Sequence, residues 1–252
     1  MQNSPERLIK SKKRVQKHGE VFTPNWMVEK MLNNEGIKEA CENLTATFLE
    51  PAAGEGNFLM AILKRKLGMV SERYSETLAQ FESFSLYALS TLYGVELLED
   101  NAQMCVMNLY EIYREVYSEI ARKFENKPKK NVLDSAKVII KANIAQGNFL
   151  ARKTTSGDPI IFSEWVMMNK LTTKTKTISV VRTEYSLDEI FEGKEKEAGT
   201  ISQPPTIEEQ LDLFESFDMD FKIEEKPKEE NWRYVTTKIT DVYKEELEID
   251  DD

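Results

Sequence analysis

Apolar positions along the chain follow two periods. Trp26, Val28, Met31 and Leu32 have helical spacing, which predicts a helix with Thr23 as its N-cap and Pro24 at its first position. Residues 47–53 (TFLEPAA) read as a short buried strand running straight into the turn Gly54-Glu55-Gly56. Phe58, Leu59, Ile62, Leu63 and Leu67 then return to helical spacing. The same reading gives helices over 76–92 and 100–124, with strands over 93–98 and 138–144 (VIIKANI). Asn148 and Phe149 stand at the end of that third strand. Short strands alternating with helices predict a mainly parallel α/β sheet. Residues 158–165 and 177–185 read as a hairpin closing one sheet edge, and from about 192 onward the chain lacks the apolar density to fold alone.

Charge divides the chain in the same places. The net charge is −10, yet residues 184–252 hold 8 basic and 23 acidic side chains against 26 and 21 in residues 1–183. Residues 1–19 carry Arg7, Lys10, Lys12, Lys13, Arg14 and Lys17 against the single acid Glu6. Such a stretch is either a solvated arm or one that contacts nucleic-acid phosphates. The predicted organisation is therefore a basic arm over 1–19, an α/β domain over 20–185 and an acidic, disordered tail over 186–252. No apolar run approaches the ~20 residues that span a bilayer, and the N-terminus has no signal-peptide apolar stretch, so the expectation is a cytoplasmic protein with no membrane partner. Cys41 and Cys105 stand far apart and His18 is the only histidine, which argues against a disulfide framework, a Cys/His zinc site and a histidine triad.

The chemistry concentrates in Glu50-Pro51-Ala52-Ala53-Gly54-Glu55-Gly56-Asn57-Phe58. Two glycines one residue apart at a strand-to-helix turn allow a sharp turn and close approach by a ligand. A dinucleotide loop would place a third glycine where Leu59 stands. The acid ahead of the turn suits a ligand with an ammonium group. Glu96, at the end of the second strand, is placed to accept both hydroxyls of a ribose. Leu97 can pack on an adenine face, Asn148 can accept from an adenine amino group, and Phe149 can cover the base. Each residue alone also reads as an ordinary turn, cap or core position.

Taken in order, His18-Gly-Glu-Val-Phe22-Thr23-Pro24, Phe48-Leu-Glu50-Pro51-Ala52-Ala-Gly54-Glu-Gly56-Asn57-Phe58-Leu59, Tyr93-Gly-Val-Glu96-Leu97-Leu-Glu-Asp-Asn101 and Gly147-Asn148-Phe149-Leu150 resemble the S-adenosylmethionine-binding half of the adenine-specific DNA methyltransferases of restriction-modification systems. The resemblance covers about residues 20–150 and implies a partial Rossmann-like class I methyltransferase fold with S-adenosyl-L-methionine as cofactor. It assigns Phe22, Thr23 and Pro24 to the segment enclosing the methionine end, and Glu50 with the Gly54/Gly56 turn to the methionine-binding loop. Glu96 becomes the ribose acid, and Leu97, Asn148 and Phe149 the adenine pocket. The family usually has Asp where Asn148 stands; the amide keeps the acceptor and drops the charge.

The family's catalytic loop, Asn/Asp/Ser-Pro-Pro-aromatic, holds a flipped adenine by its amino group and stacks on the base. Nothing of that kind follows Phe149, and the only Pro-Pro, Pro204-Pro205, has no aromatic beside it and reads as linker. No catalytic residue is therefore assigned to this chain. The resemblance implies a split enzyme acting on DNA, this chain binding the methyl donor and a second methyltransferase subunit supplying the catalytic loop and target recognition. The alternatives are a cofactor-binding regulatory protein without catalysis and a pure interaction protein on a relic fold. Within the tail, Gln210-Leu211-Asp212-Leu213-Phe214 resembles the pentapeptide by which bacterial replication and repair proteins dock on the sliding clamp; the other reading is an amphipathic helix over 207–221.

Overall fold

Hydrogen bonding divides the strands of the computed structural model, which describes residues 8–172, 174–202 and 232–249, into a four-stranded sheet and two smaller ones. The four-stranded sheet is built from β1 (Phe48–Glu50), β2 (Leu92–Glu96), β3 (Ile144–Asn148) and β4 (Lys153–Thr154), in that spatial order. β1, β2 and β3 run parallel, with Glu50 level with Gly94 and Glu96 level with Gln146; β4 returns antiparallel. The protein is thus α/β with a mixed sheet, and its parallel strands bring Glu50, Glu96 and Asn148 to one end of that sheet.

The connections are helical, as the 3.6-residue periodicity predicts: α1 (Lys12–His18), α2 (Asn25–Leu32) and α3 (Ile37–Cys41) precede β1, and α4 (Asn57–Arg73) and α5 (Leu78–Leu89) join β1 to β2. α6 (Glu99–Lys123) and α7 (Lys130–Asn143) join β2 to β3. Leu59, Leu63, Leu67 and Val70 of α4 are buried with Phe81, Phe84, Leu109, Tyr113, Ile139 and Ile140 in one large core. Gly94 faces α4 so closely that a Cβ there would lie 2.9 Å from Leu59 Cδ1. Tyr93 and Val95 alternate to the other face, where they meet Ile160, Phe162 and Leu187 in a smaller core.

Four expectations are corrected. VIIKANI is the end of helix α7, and the third strand is the following Ile144–Asn148. Val132, Ala136, Ile139, Ile140 and Asn143 are buried at three- and four-residue steps, a pattern that a seven-residue apolar window cannot separate from a buried strand. The second helix begins at Asn25, one residue late: Pro24 takes the cap position and Thr23 makes no side-chain cap. Of its apolar residues Val28 and Leu32 are buried, whereas Trp26 is 63% exposed. The hairpin of β5 (Ile161–Met167) and β6 (Ser179–Ser186) forms as expected, but pairs with β8 (Thr237–Lys238) in a sheet of its own instead of extending the first.

The fourth correction concerns the tail. After α8 (Leu187–Glu192), the described part of the tail folds back as β7 (Trp232–Tyr234), β8, a 3-10 helix (Ile239–Lys244) and β9 (Leu247–Ile249). Tyr234, Ile239 and Val242 are buried. Arg182 in β6 ion-pairs with Glu245 at 2.8 Å, Tyr234 donates to Glu184, and Asn131 of α7 donates to Thr240 O. The segment is too short to make a core of its own, and it folds because Ile239 and Val242 join the large core of the domain. The Gln210–Phe214 motif and Pro204-Pro205 lie outside the described residues. Among the described residues no helix is long and apolar enough to cross a membrane.

Candidate functional site

The turn after β1 is set by its glycines. Gly54 and Gly56 both have positive φ, +56° and +92°, a region costly for a side chain with a Cβ. A Cβ on Gly56 would also lie 2.9 Å from Cys105 Sγ, so α6 packs directly under the turn. Asn108 of α6 donates to Glu55 O at 2.9 Å, and Gly56 caps the start of α4.

Glu96 is 7% exposed and its carboxylate grips the turn. Gly54 N–H donates to Oε2 at 2.8 Å; Leu98 N–H and, more weakly, Asn101 Nδ2 donate to Oε1 at 3.0 and 3.4 Å. A carboxylate offers about four acceptor sites, so these three donors leave room for another. Glu50, at the end of the adjacent strand, is half-buried, and burial pushes its carboxyl pKa above the ordinary value, with the Ala52 N–H opposing. A cation delivered by a ligand would relieve that desolvation.

Phe22 and Thr23 join the turn from the other side. The Phe22 ring stands 3.5 Å from where a Gly54 Cβ would be, and Asn57 Nδ2 donates to Thr23 O at 3.1 Å. Pro24 follows as the cap of α2, while Pro51 and Ala52 are exposed at the turn. Phe58 turns into the large core. Leu97 is exposed beside Glu96. At the end of β3, Asn148 accepts from Ala151 N–H at 3.0 Å. Phe149 packs on the smaller core and meets Phe191 edge-on. The structure therefore joins Phe22, Thr23, Gly54, Asn57 and Glu96 by direct contact. It sets Asn148 and Phe149 at the same end of the sheet with contacts of their own.

The basic arm is not a free arm over its described part. Arg14 makes a two-pronged pair with Glu20, both bonds 2.6 Å, and a second pair with Asp100. Lys10 reaches Glu55 of the glycine turn at 2.8 Å, Asp100 at 3.0 Å and Asn101 Oδ1 at 2.6 Å. The Arg14 hydrogen bond holds Asp100 down at about 2 despite partial burial, and the same guanidinium lowers Glu20. Lys12, Lys13 and Lys17 stay exposed on α1.

The sequence reading gave Asn101, Lys10, Arg14, Glu20 and Cys105 no role in this site, although Glu20 and Asn101 stand within the segments that carry the resemblance. One signal was present: Asn101 is a polar residue on the otherwise apolar stripe Ala102, Cys105, Val106 and Leu109 of α6. Among the described residues no group of three or more His, Cys, Asp or Glu side chains is placed to hold a metal ion. Comparisons of the chain with protein-family models, curated proteins and solved structures each returned no match.

Proposed function

We propose that this chain binds S-adenosylmethionine at the ends of β1 and β2 and serves as the donor-binding half of a two-chain adenine-specific DNA methyltransferase with a Rossmann-like fold. The observation that carries the reading is the bond from Gly54 N–H to Glu96 at the ends of two adjacent parallel strands. It couples a glycine turn too tight for side chains to a buried acid with acceptor capacity to spare. The donor set fits the cofactor: Glu50 meets the ammonium group, Glu96 the ribose hydroxyls, and Leu97, Asn148 and Phe149 the adenine. The cofactor supplies a methyl group already activated on a sulfonium. The chain's own task is to orient that methyl group and keep the nucleoside in place.

The second half of the reading is supported by an open sheet edge. Among the described residues β1 pairs only with β2. Phe48 N–H donates to Thr91 O, so the parallel ladder turns the Leu49 N–H and C=O away from β2. Leu49 is 43% exposed, so β1 lacks the cover that parallel sheets ordinarily have on both faces, and an unpaired edge is a template for another strand. A strand of a second subunit added beside β1 would bring its loop to the same end as Glu50. The Asn-Pro-Pro-aromatic loop absent from this chain would then stand beside the methyl donor. DNA is the proposed substrate, and the Gln210–Phe214 segment is proposed, on its sequence, to recruit the assembly to a sliding clamp.

Equilibrium binding of radiolabelled S-adenosylmethionine to the purified chain tests the first half. Micromolar binding without methylation of DNA, and methylation once a loop-bearing subunit is added, is the expected result. Absence of binding with and without DNA overturns the reading, and DNA methylation by this chain alone overturns the split.

A further inference from the structure

The arm and the glycine turn share a residue. Asn101 is 1% exposed and its side chain faces two ways. Its Oδ1 accepts from Lys10 at 2.6 Å and Arg14 at 3.3 Å, while its Nδ2 donates to Glu20 at 2.7 Å and to Glu96 at 3.4 Å. The bonds to the arm side are the shorter ones and the bond to Glu96 the longest. A ligand hydroxyl arriving at Glu96 therefore competes with the weakest of the Asn101 contacts and leaves Nδ2 to Glu20 alone.

The rest of the arm encloses the same place. Leu8 O accepts from Phe22 N–H at 2.8 Å, and the Lys10 ammonium stands 5.9 Å from the centre of the Phe22 ring. Lys10 also pins Glu55, the residue between the two turn glycines. These contacts span about 90 positions of sequence, from Lys10 and Arg14 to Asp100 and Asn101. They join a short helix with no buried residue, and Lys10 just ahead of it, to the start of α6. A helix of that kind buries no apolar face, so polar contacts carry much of its hold on the domain and it opens at low cost.

We infer that residues 8–20 form a strap across the ligand site, fastened by Lys10, Arg14 and Glu20, and that Asn101 couples its closure to occupancy of Glu96. Asn101 acts as a positioning residue: it sets the Glu96 carboxylate on one side and receives the strap on the other. This inference rests on the proposed nucleoside-bearing ligand. Coupling is reciprocal, so a ligand that tightens the strap is itself held more tightly by it, and couplings of this type amount to about 5- to 150-fold.

Limited trypsin cleavage after Lys12, Lys13 and Lys17, together with calorimetric binding of S-adenosylhomocysteine, tests it. Saturating S-adenosylhomocysteine slows cleavage in the strap about ten-fold and leaves cleavage after the exposed Lys174 unchanged. Arg14→Ala weakens S-adenosylhomocysteine binding about ten-fold and abolishes the protection, Arg14→Lys restores part of both, and Lys17→Ala changes the affinity in neither direction. Wild-type binding with no protection of the strap, or equal affinity in the Arg14→Ala chain, overturns the strap alone. A wild-type chain that binds no S-adenosylhomocysteine removes the ligand reading, and the strap with it.

Discussion

Gly54 and Glu96 are 42 residues apart in sequence and 2.8 Å apart in space, main-chain N–H to carboxylate. The bond fixes the turn after β1 by means of the residue that ends β2, so neither strand end can move without the other.

Removing the acid should therefore cost stability as well as binding. Glu96→Ala leaves the part-buried N–H groups of Gly54 and Leu98 without this acceptor; an unsatisfied buried group costs about 1–3 kcal/mol, and the loss here falls at the lower end because water reaches both groups. Urea denaturation of Glu96→Ala should show that loss, and Glu96→Gln, which keeps a neutral acceptor, should lose less. Binding of S-adenosylhomocysteine should fall at least about ten-fold in both. An undiminished midpoint for Glu96→Ala would mean that the cradle carries no load.

Gly56 offers a cleaner test of packing under the turn. Gly56→Ala meets both a positive φ and the Cys105 sulfur, and strain of this kind costs about 1–3 kcal/mol. Cys105→Ala alone leaves a small cavity. The double variant should be more stable than the sum of the two single losses, because it removes the clash and keeps only the backbone strain. Strict additivity in thermal or chemical denaturation would contradict the contact.

The open edge of β1 can be closed without touching the site. Leu49→Lys places a charge where natural edge strands use lysine to discourage pairing. The expected outcome is an unchanged midpoint, unchanged S-adenosylhomocysteine binding and loss of methylation when the loop-bearing subunit is added. Full complementation by the variant would exclude this edge as the docking strand.

Acid should loosen the arm. Asp100 and Glu20 have folded-state pKa values below the ordinary carboxyl range. The stability they lend is therefore complete above an unfolded carboxyl value of about 4 and is lost as pH falls toward about 2, where Asp100 protonates. Asp100 is half exposed, so screening makes the contribution small and salt-sensitive. Carboxyl-carbon NMR titration should show both groups ionising below the usual range and the shift shrinking in high salt. Ordinary titration of Asp100 would mean that Arg14 does not hold it.

What could be read along the chain follows from distance. The strand-turn-helix around Gly54 and Gly56 is local, and its glycines and apolar spacing are legible in 20 residues of sequence. Glu96 could be placed because it ends a strand beside the turn. α7 was misread as a strand because Val138, Ile139 and Ile140 are β-branched and apolar, and only Val132 and Ala136 further back reveal the helical stripe. The clasp of Lys10 and Arg14 on Asp100 left no pattern in either segment, since a pair of opposite charges 86 and 90 positions apart resembles any two solvated residues. The return of 232–249 was hidden for the same reason: Arg182 and Glu245 meet across 63 positions, and the surface that buries Ile239 and Val242 belongs to elements already folded.

Cys105 lies sealed beneath the glycine turn, fully buried, and burial pushes its thiol pKa up to about 12. A thiol in that state does not react with an alkylating reagent until the turn lifts off α6. Its alkylation rate is then a stopwatch for the breathing of this one loop, readable by mass spectrometry on the unmodified chain. Cys41, the only other thiol and also buried, keeps time for a different part of the molecule.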